Sequence, residues 1–247
     1  VESDTASERF TACISSQVGC AMACDFCLTG KQGFLRHLSA EEIIDQVVRL
    51  NQIKPITNLV FMGMGEPLAN YGNVRETLRL ILAHTDMGPT RITVSTVGLL
   101  PMMQYLLNDP EWPPVRLAVS LHSADSDSRK KMMPSSYDDF LQKLLAWSKE
   151  YFAKFASRRR HVTFEYVMLS KVNDTAMHAK KLIHFARQVG KVRINLIPYN
   201  WTGEVYKDSL PGDFEAFEST LRSAGVDVTR RRTMGDDIDA ACGQLAN

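Results

Sequence analysis

Leu59-Val-Phe-Met62-Gly-Met-Gly-Glu-Pro67 is a short apolar run that breaks off in glycines and a single acid. Four apolar residues in succession suit a strand covered on both faces, as in a parallel sheet flanked by helices. Gly63 and Gly65 mark the turn that ends it. Residues 74–84 then carry a helical pattern, so the unit is strand, turn, helix.

The same unit recurs on both sides. Strand 91–95 ends in Ser95-Thr96-Val97-Gly98, strand 115–120 in Ser120-Leu121-His122-Ser123, and strand 192–197 in Pro198-Tyr199-Asn200. Residues 11–16, 161–169 and 226–231 read as further strands. Helical stripes lie at 40–53, 101–107, 137–155, 175–189 and 213–224. Ser39, with Glu42 three residues on, has the form of a capping box for the first of these. Such alternation predicts the α/β class with right-handed crossovers. Polar signatures just past the strands predict a partial (β/α)6 barrel with its active rim at the strand ends. An open doubly wound sheet satisfies the same alternation. The organisation reads as one barrel over 1–247, with a leading hairpin or first strand in 1–16, a cysteine loop in 17–37 and a second cysteine loop in 232–247.

With 45% hydrophobic and 23% charged residues, the composition suits a globular chain. A net charge of +1 gives no global electrostatic case for or against a polyanion. No apolar run is long enough to span a membrane and no leader is visible at Val1, so a soluble cytoplasmic protein is expected. The cysteines are Cys13, Cys20, Cys24, Cys27 and Cys242. An odd count with three crowded together is unlike a secreted disulfide framework and points to thiolate chemistry.

Cys20-Ala-Met-Ala-Cys24-Asp-Phe-Cys27 has the spacing CxxxCxxC. Three thiolates from one loop can hold three irons of a [4Fe–4S] cluster and leave the fourth iron to S-adenosylmethionine (SAM). The competing reading is a structural zinc site, which needs a remote fourth ligand such as His37 or Cys242. That reading makes the chain a zinc-stabilised RNA-binding module.

Further blocks occur in a fixed order: Cys13-Ile-Ser-Ser-Gln-Val-Gly-Cys20, Thr29-Gly-Lys-Gln-Gly-Phe34, Phe61-Met-Gly-Met-Gly-Glu-Pro67, Ser120-Leu-His122, Asn195-Leu-Ile-Pro198 and Gly235-Asp-Asp-Ile-Asp-Ala-Ala-Cys-Gly-Gln-Leu245. Together they resemble the RlmN family of radical SAM methyltransferases. The resemblance implies methylation of C2 of adenine in 23S rRNA and/or tRNA. The related Cfr enzymes methylate C8 instead, and Leu68-Ala69-Asn70 looks nearer to them. It also implies about a hundred further residues ahead of the first strand, the size of a small domain, forming an accessory RNA-binding domain.

Carried over residue by residue, the resemblance assigns Cys20, Cys24 and Cys27 to the cluster. Gly65 and Glu66 meet the amino-acid end of SAM. Ser95, Ser120, Leu121 and His122 line its site, and Asn200 closes it. Two SAM molecules are used per turnover. Cys242 takes a methyl group from the first, and a deoxyadenosyl radical from the second removes a hydrogen from that methyl. The resulting carbon radical adds to the base, and the RNA becomes tied to Cys242. Cys13 then forms a Cys13–Cys242 disulfide that releases the product. Glu2, in Val1-Glu2-Ser3, is the implied proton acceptor. The small, polar flanks of Cys242 suit a flexible loop. Flavodoxin or ferredoxin is the implied reductant, and the protein is expected to be a monomer.

An adenine must be unstacked to reach such a site. Arg129-Lys130-Lys131, Arg158-Arg159-Arg160 and Arg230-Arg231-Arg232 are candidate phosphate contacts, as is Lys31. Tyr199 and Trp201 are candidate stacking platforms.

Overall fold

The computed structural model describes residues 9–155, 162–203, 205–231 and 241–245. Strand β1 (Thr11–Cys13) is followed by an antiparallel pair, β2 (Gln17–Gly19) and β3 (Phe34–His37). The cysteine loop and the short helix α1 (Leu28–Gln32) lie between the arms of that pair. There follow α2 (Ala40–Ile53), β4 (Asn58–Phe61), α3 (Tyr71–His84), β5 (Ile92–Thr96), α4 (Leu100–Asn108), β6 (Arg116–Ser120), α5 (Ser126–Met132) and α6 (Phe140–Lys154). The remainder is β7 (Val162–Met168), α7 (Ala176–Val189), β8 (Val192–Pro198), α8 (Pro211–Ser223) and β9 (Asp227–Arg230).

Seven of the strands form one parallel sheet in the order β1-β4-β5-β6-β7-β8-β9. Apart from the small β2–β3 pair, the order follows the chain without reversal. The doubly wound alternative, which requires a reversal, is therefore wrong. The sheet also curls. β4 and β9 are five spacings apart, roughly 24 Å in a flat sheet. Yet Arg231, just past β9, reaches Met62, just past β4: its Nη1 donates to Sδ at 3.1 Å. A half-barrel brings those two ends together, as the partial-barrel reading expects.

The core forms between the sheet and its outer helices, through residues such as Leu59, Ile92, Val94, Phe164 and Leu182. The N-terminus of α2 carries the expected box: Ser39 Oγ accepts from Glu42 N–H, and the Glu42 carboxylate accepts from Ser39 N–H. The sequence pattern did not reveal α1, α5 or the β2–β3 pair. α5 spans only 7 residues and holds Arg129, Lys130 and Lys131 in succession, too short and too charged for a stripe.

Candidate active site

The cysteine loop is shaped by backbone contacts. Cys20 N–H donates to the Gly33 carbonyl at 2.8 Å, Cys27 N–H to the Cys24 carbonyl at 3.0 Å, and Asp25 N–H to the Met132 carbonyl at 3.0 Å. Gly19 has φ +73°, and a Cβ there would lie 2.0 Å from the Gly33 oxygen, so only glycine lets β2 and β3 approach so closely. Burial pushes the Cys20 thiol up to about 11, and that of Cys24 higher still. Each of these two thiols also feels Cys27.

The neighbouring wall comes from the strand ends. Gly65 has φ +99° and presses against the Gln17 side chain, which accepts from Glu66 N–H at 2.8 Å. Glu66 is buried, and its carboxylate accepts from Leu68 N–H (2.9 Å) and Val97 N–H (2.7 Å). Burial nonetheless raises its pKa to about 7. His122 has φ +54° and is buried, and its Nδ1 accepts from Val167 N–H at 3.0 Å. That bond fixes the neutral tautomer with hydrogen on Nε2. Burial, with Arg129 nearby, lowers its pKa to about 3. Phe26 of the cysteine loop meets the His122 ring edge to face at 4.9 Å.

Ser95, Ser120, His122, Gly65, Glu66 and Asn200 all line one open recess, together with Cys20, Cys24, Cys27 and Cys242. Leu121 is the exception. Its side chain lies in the main core, so any part it plays is through its backbone.

Cys242 arrives from the far end of the chain. Asn200 Nδ2 donates to the Cys242 carbonyl (2.9 Å), Leu28 N–H to the Gly243 carbonyl (2.8 Å), Thr29 Oγ1 to the Leu245 carbonyl (2.6 Å) and Gln244 Nε2 to the Trp201 carbonyl (3.2 Å). The expected flexible loop is thus docked over 241–245, against the cysteine loop and the 199–202 turn. Both Cys13 and Cys242 are free thiols on residues that are exposed as a whole, although many protein atoms surround each. Burial raises Cys13 to about 11, with Cys242 adding to the rise and Arg231 opposing it. Burial raises Cys242 as well, again against Arg231. Glu2 lies outside the described residues.

Glu165 was not anticipated, and Arg231 was expected only as a phosphate contact. Glu165 is a buried acid on β7 that lines the recess, and its carboxylate accepts from Asn195 Nδ2 at 2.7 Å. Burial raises its pKa. Arg231 also lines the recess. Burial disfavours its charge, but Cys242, Glu165 and Cys13 outweigh that and raise its pKa. A charged residue in the middle of a buried strand was the available signal for Glu165.

A radical SAM superfamily model matches residues 14–183. Two proteins named dual-specificity RNA methyltransferase RlmN, from Alcanivorax borkumensis and Syntrophobacter fumaroxidans, are 43% and 42% identical to this chain. Each alignment covers 96% of the chain, and 64% and 69% of the respective relative. The chain belongs to the RlmN family of radical SAM proteins. A solved radical SAM methyltransferase from Sphaerobacter thermophilus superposes with a TM-score of 0.88 at 38% identity, over 96% of this chain and 70% of that one. Streptococcus suis SuiB, at 14% identity and TM-score 0.67 over 92% of this chain and 50% of that one, shares the fold.

Membership of a radical SAM family implies a [4Fe–4S] cluster and SAM, and the residues present fit both. The donor set is three thiols on one loop, close enough to sense one another, with Cys24 buried and Cys20 and Cys27 partly exposed to the recess. Among the described residues no three His, Cys, Asp or Glu side chains converge on a single ion. A cluster does not ask them to, because each sulfur takes its own iron.

The RNA-contact expectations fare unevenly in this RlmN-family chain. Arg129 is 1% exposed and cannot meet a phosphate. Lys130 is held by the Ser136 carbonyl and Asp138. Lys31 donates to the Thr202 carbonyl at 3.2 Å. Arg230 stacks over Phe214 at 4.2 Å. Tyr199 is buried, with its hydroxyl on Thr202, so it packs and does not stack a base. Trp201, 68% exposed, keeps its candidacy. Residues 158–160 and Arg232 lie outside the described residues. Asn70, part of the stretch that looks nearer to Cfr, is an internal tie: its Nδ2 donates to the Ser16 and Leu38 carbonyls.

Proposed function

We propose that this chain carries the catalysis of an RNA methyltransferase acting on C2 of adenine, in 23S rRNA and/or tRNA. The observation that carries the reading is that Cys242, from the far end of the chain, lines the recess of the three-cysteine loop and comes near enough to Cys13 for its charge to be felt there. A cluster alone would need only the loop. Adenine C2 is electron-poor and resists direct attack on a methyl cation donor, so a radical route through protein sulfur suits it.

When bound, the cluster and SAM supply a deoxyadenosyl radical by one-electron reduction and C–S cleavage. Cys20, Cys24 and Cys27 hold the cluster. Gly65, Glu66, Ser95, Ser120, the Leu121 backbone, His122 and Asn200 form the SAM wall. Cys242 acts first as a thiolate and takes a methyl group from one SAM, then gives up a methyl hydrogen to the radical made from a second. Its methylene carbon bonds to C2, the adduct radical passes one electron to an acceptor, a role the oxidised cluster would fill when bound, and a base, assigned to Glu2, takes the C2 proton. Cys13 then attacks Cys242 Sγ as a thiolate. The S–S bond forms, the carbon–sulfur bond breaks, and the released carbon takes a proton to become the methyl group. A low-potential carrier of the flavodoxin or ferredoxin type supplies electrons to a monomeric enzyme.

Digestion of reacted rRNA and tRNA to nucleosides tests this directly. The expected product is 2-methyladenosine. If 8-methyladenosine appears in its place, the C2 assignment is wrong and the chemistry is Cfr-like.

A further inference from the structure

Arg129 is among the largest fully buried side chains of the protein, and no carboxylate lies within ion-pair reach of it among the described residues. Its Nη2 donates to the Val97 carbonyl at 2.7 Å. Its Nη1 donates to Met133 Sδ at 2.6 Å and to the Leu121 carbonyl at 3.4 Å. The guanidinium face stacks on Phe140 at 3.7 Å, and Nε has no partner. A buried cation with neutral partners is costly to keep. Burial lowers its pKa to about 9, and the only neighbour that opposes this is Cys24. The fold therefore bears a charge whose natural counter-charge lies in the cysteine loop.

The surroundings place that charge directly behind the loop. Met133, which accepts from Arg129, packs in one apolar cluster with Cys24, Met132 and Phe26. Asp25 N–H is bonded to the Met132 carbonyl, so the loop and α5 are joined beside Arg129. The guanidinium is anchored to the ends of β5 and β6 and to the Phe140 ring, so it cannot swing into the recess to meet a substrate. It acts across space, through a dry layer of sulfur and aromatic side chains in which charges are weakly screened.

We infer that Arg129 is a positioning residue for charge: it is the fixed counter-cation of the cluster bound by Cys20, Cys24 and Cys27, and it favours uptake of the electron that starts the reaction. This rests on the cluster reading given above. Reduction adds a negative charge to an already anionic thiolate-ligated cluster, and a fixed cation nearby stabilises the reduced form more than the oxidised one. Net charge close to a cluster is one of the levers that set its potential. The electron comes from an external one-electron carrier, and Arg129 itself neither gains nor loses it.

The test uses the chain reconstituted anaerobically with iron and sulfide, as wild type, Arg129→Met and Arg129→Lys. Cluster reduction is followed by electron paramagnetic resonance in solutions poised with redox mediators. At a fixed ambient potential the reduced-to-oxidised ratio of Arg129→Met is expected to fall at least tenfold, about 59 mV for a one-electron couple. Arg129→Lys, which keeps the charge, is expected to recover most of that loss. Apo Arg129→Met is expected to melt no lower than apo wild type, because an uncompensated charge has been removed. A purely structural role predicts the opposite in the apo protein. Equal ratios in wild type and Arg129→Met, or equal losses in Met and Lys, overturn the inference. Should Arg129→Met take up no iron, Arg129→Gln replaces it against Arg129→Lys, and equal potentials in that pair overturn the inference. A wild-type chain that takes up no iron or sulfide overturns the cluster reading itself, a distinct outcome.

Discussion

Two sets of thiols lie near one another at the strand ends of the half-barrel, and each has an arginine within electrostatic reach. Cys20, Cys24 and Cys27 are neighbours in sequence, held by a short loop, with Arg129 behind them in an apolar layer. Cys13 and Cys242 come from the two ends of the chain, and Arg231 sits among them with Glu165 in a recess open to water. The first arrangement is local, with its arginine fully buried; the second exists only because the sheet curls and joins its edges. The difference separates two tasks. A dry fixed charge suits the placing of an electron, while a charge in an open recess can favour a thiolate and still let a substrate in.

The sharpest way to break the comparison is to remove one thiol from each set. Cys24→Ala is expected to lose iron, and with it deoxyadenosine release and methyl transfer. Cys242→Ala is expected to keep its iron and its cleavage of SAM but to transfer no methyl group. Iron analysis and chromatography of the SAM products separate the two outcomes. If Cys242→Ala also loses its iron, the two sets are not independent.

A smaller and more specific effect is expected within the second set. Cys13→Ala leaves the carbon–sulfur bond to RNA with no thiol to cleave it. A protein–RNA adduct through Cys242 is expected to accumulate to about one per protein and to stop turnover, seen as a shifted band on a denaturing gel. Normal turnover without adduct would mean that another group resolves the intermediate.

Arg231 gives a graded effect. With Cys13 raised to about 11, its thiolate fraction at pH 8 is roughly one in a thousand. Alkylation of Cys13 by iodoacetamide should therefore climb with pH and level off only near that value. Arg231 lowers the thiol, so Arg231→Gln moves the curve to higher pH and slows alkylation at pH 8 by about tenfold for each unit by which the pKa rises. The cluster potential should not follow, because Arg231 belongs to the other set. The converse holds for Arg129→Met, whose Cys13 curve should stay in place.

How much of this was legible in the sequence follows the same division. The CxxxCxxC loop, the strand-end signatures and the capping box at Ser39 are local patterns, and they led to the barrel and the cluster site without the structure. Arg129 was misread for a physical reason. A basic triplet ordinarily marks a solvated face, and nothing in the one-dimensional pattern says that its first residue turns inward on a seven-residue helix. Tyr199 was misjudged on the same ground, since its position just past β8 does not fix the direction of its ring. Glu165 and the role of Arg231 were missed because the approach of Arg231 to Cys13, Cys242 and Glu165 depends on closure of the sheet, which brings distant segments together. Resemblance to the family joined Cys13 to Cys242 where no local pattern could.

The smallest expected effect lies in the segment that connects the two sets. Ile14–Gly19 runs from Cys13 to Cys20, and Gln46 of α2 clamps it at Ser15, accepting from its N–H at 2.8 Å and donating to its carbonyl at 3.0 Å. Gln46→Leu removes both bonds and leaves two partly buried backbone groups unpaired, at a cost of about 1–3 kcal/mol. The melting temperature of the apo protein should drop by a few degrees. The segment keeps other ties: Ser16 and Gln17 N–H donate to the Met64 carbonyl, and Asn70 donates to the Ser16 carbonyl. Iron content and cluster potential should therefore stay as in wild type, and Cys13 alkylation should change by less than in Arg231→Gln. A cluster potential that moved with Gln46 would show that strain passes along the connector from one thiol set to the other. The two arginines could then no longer be treated as separate controls.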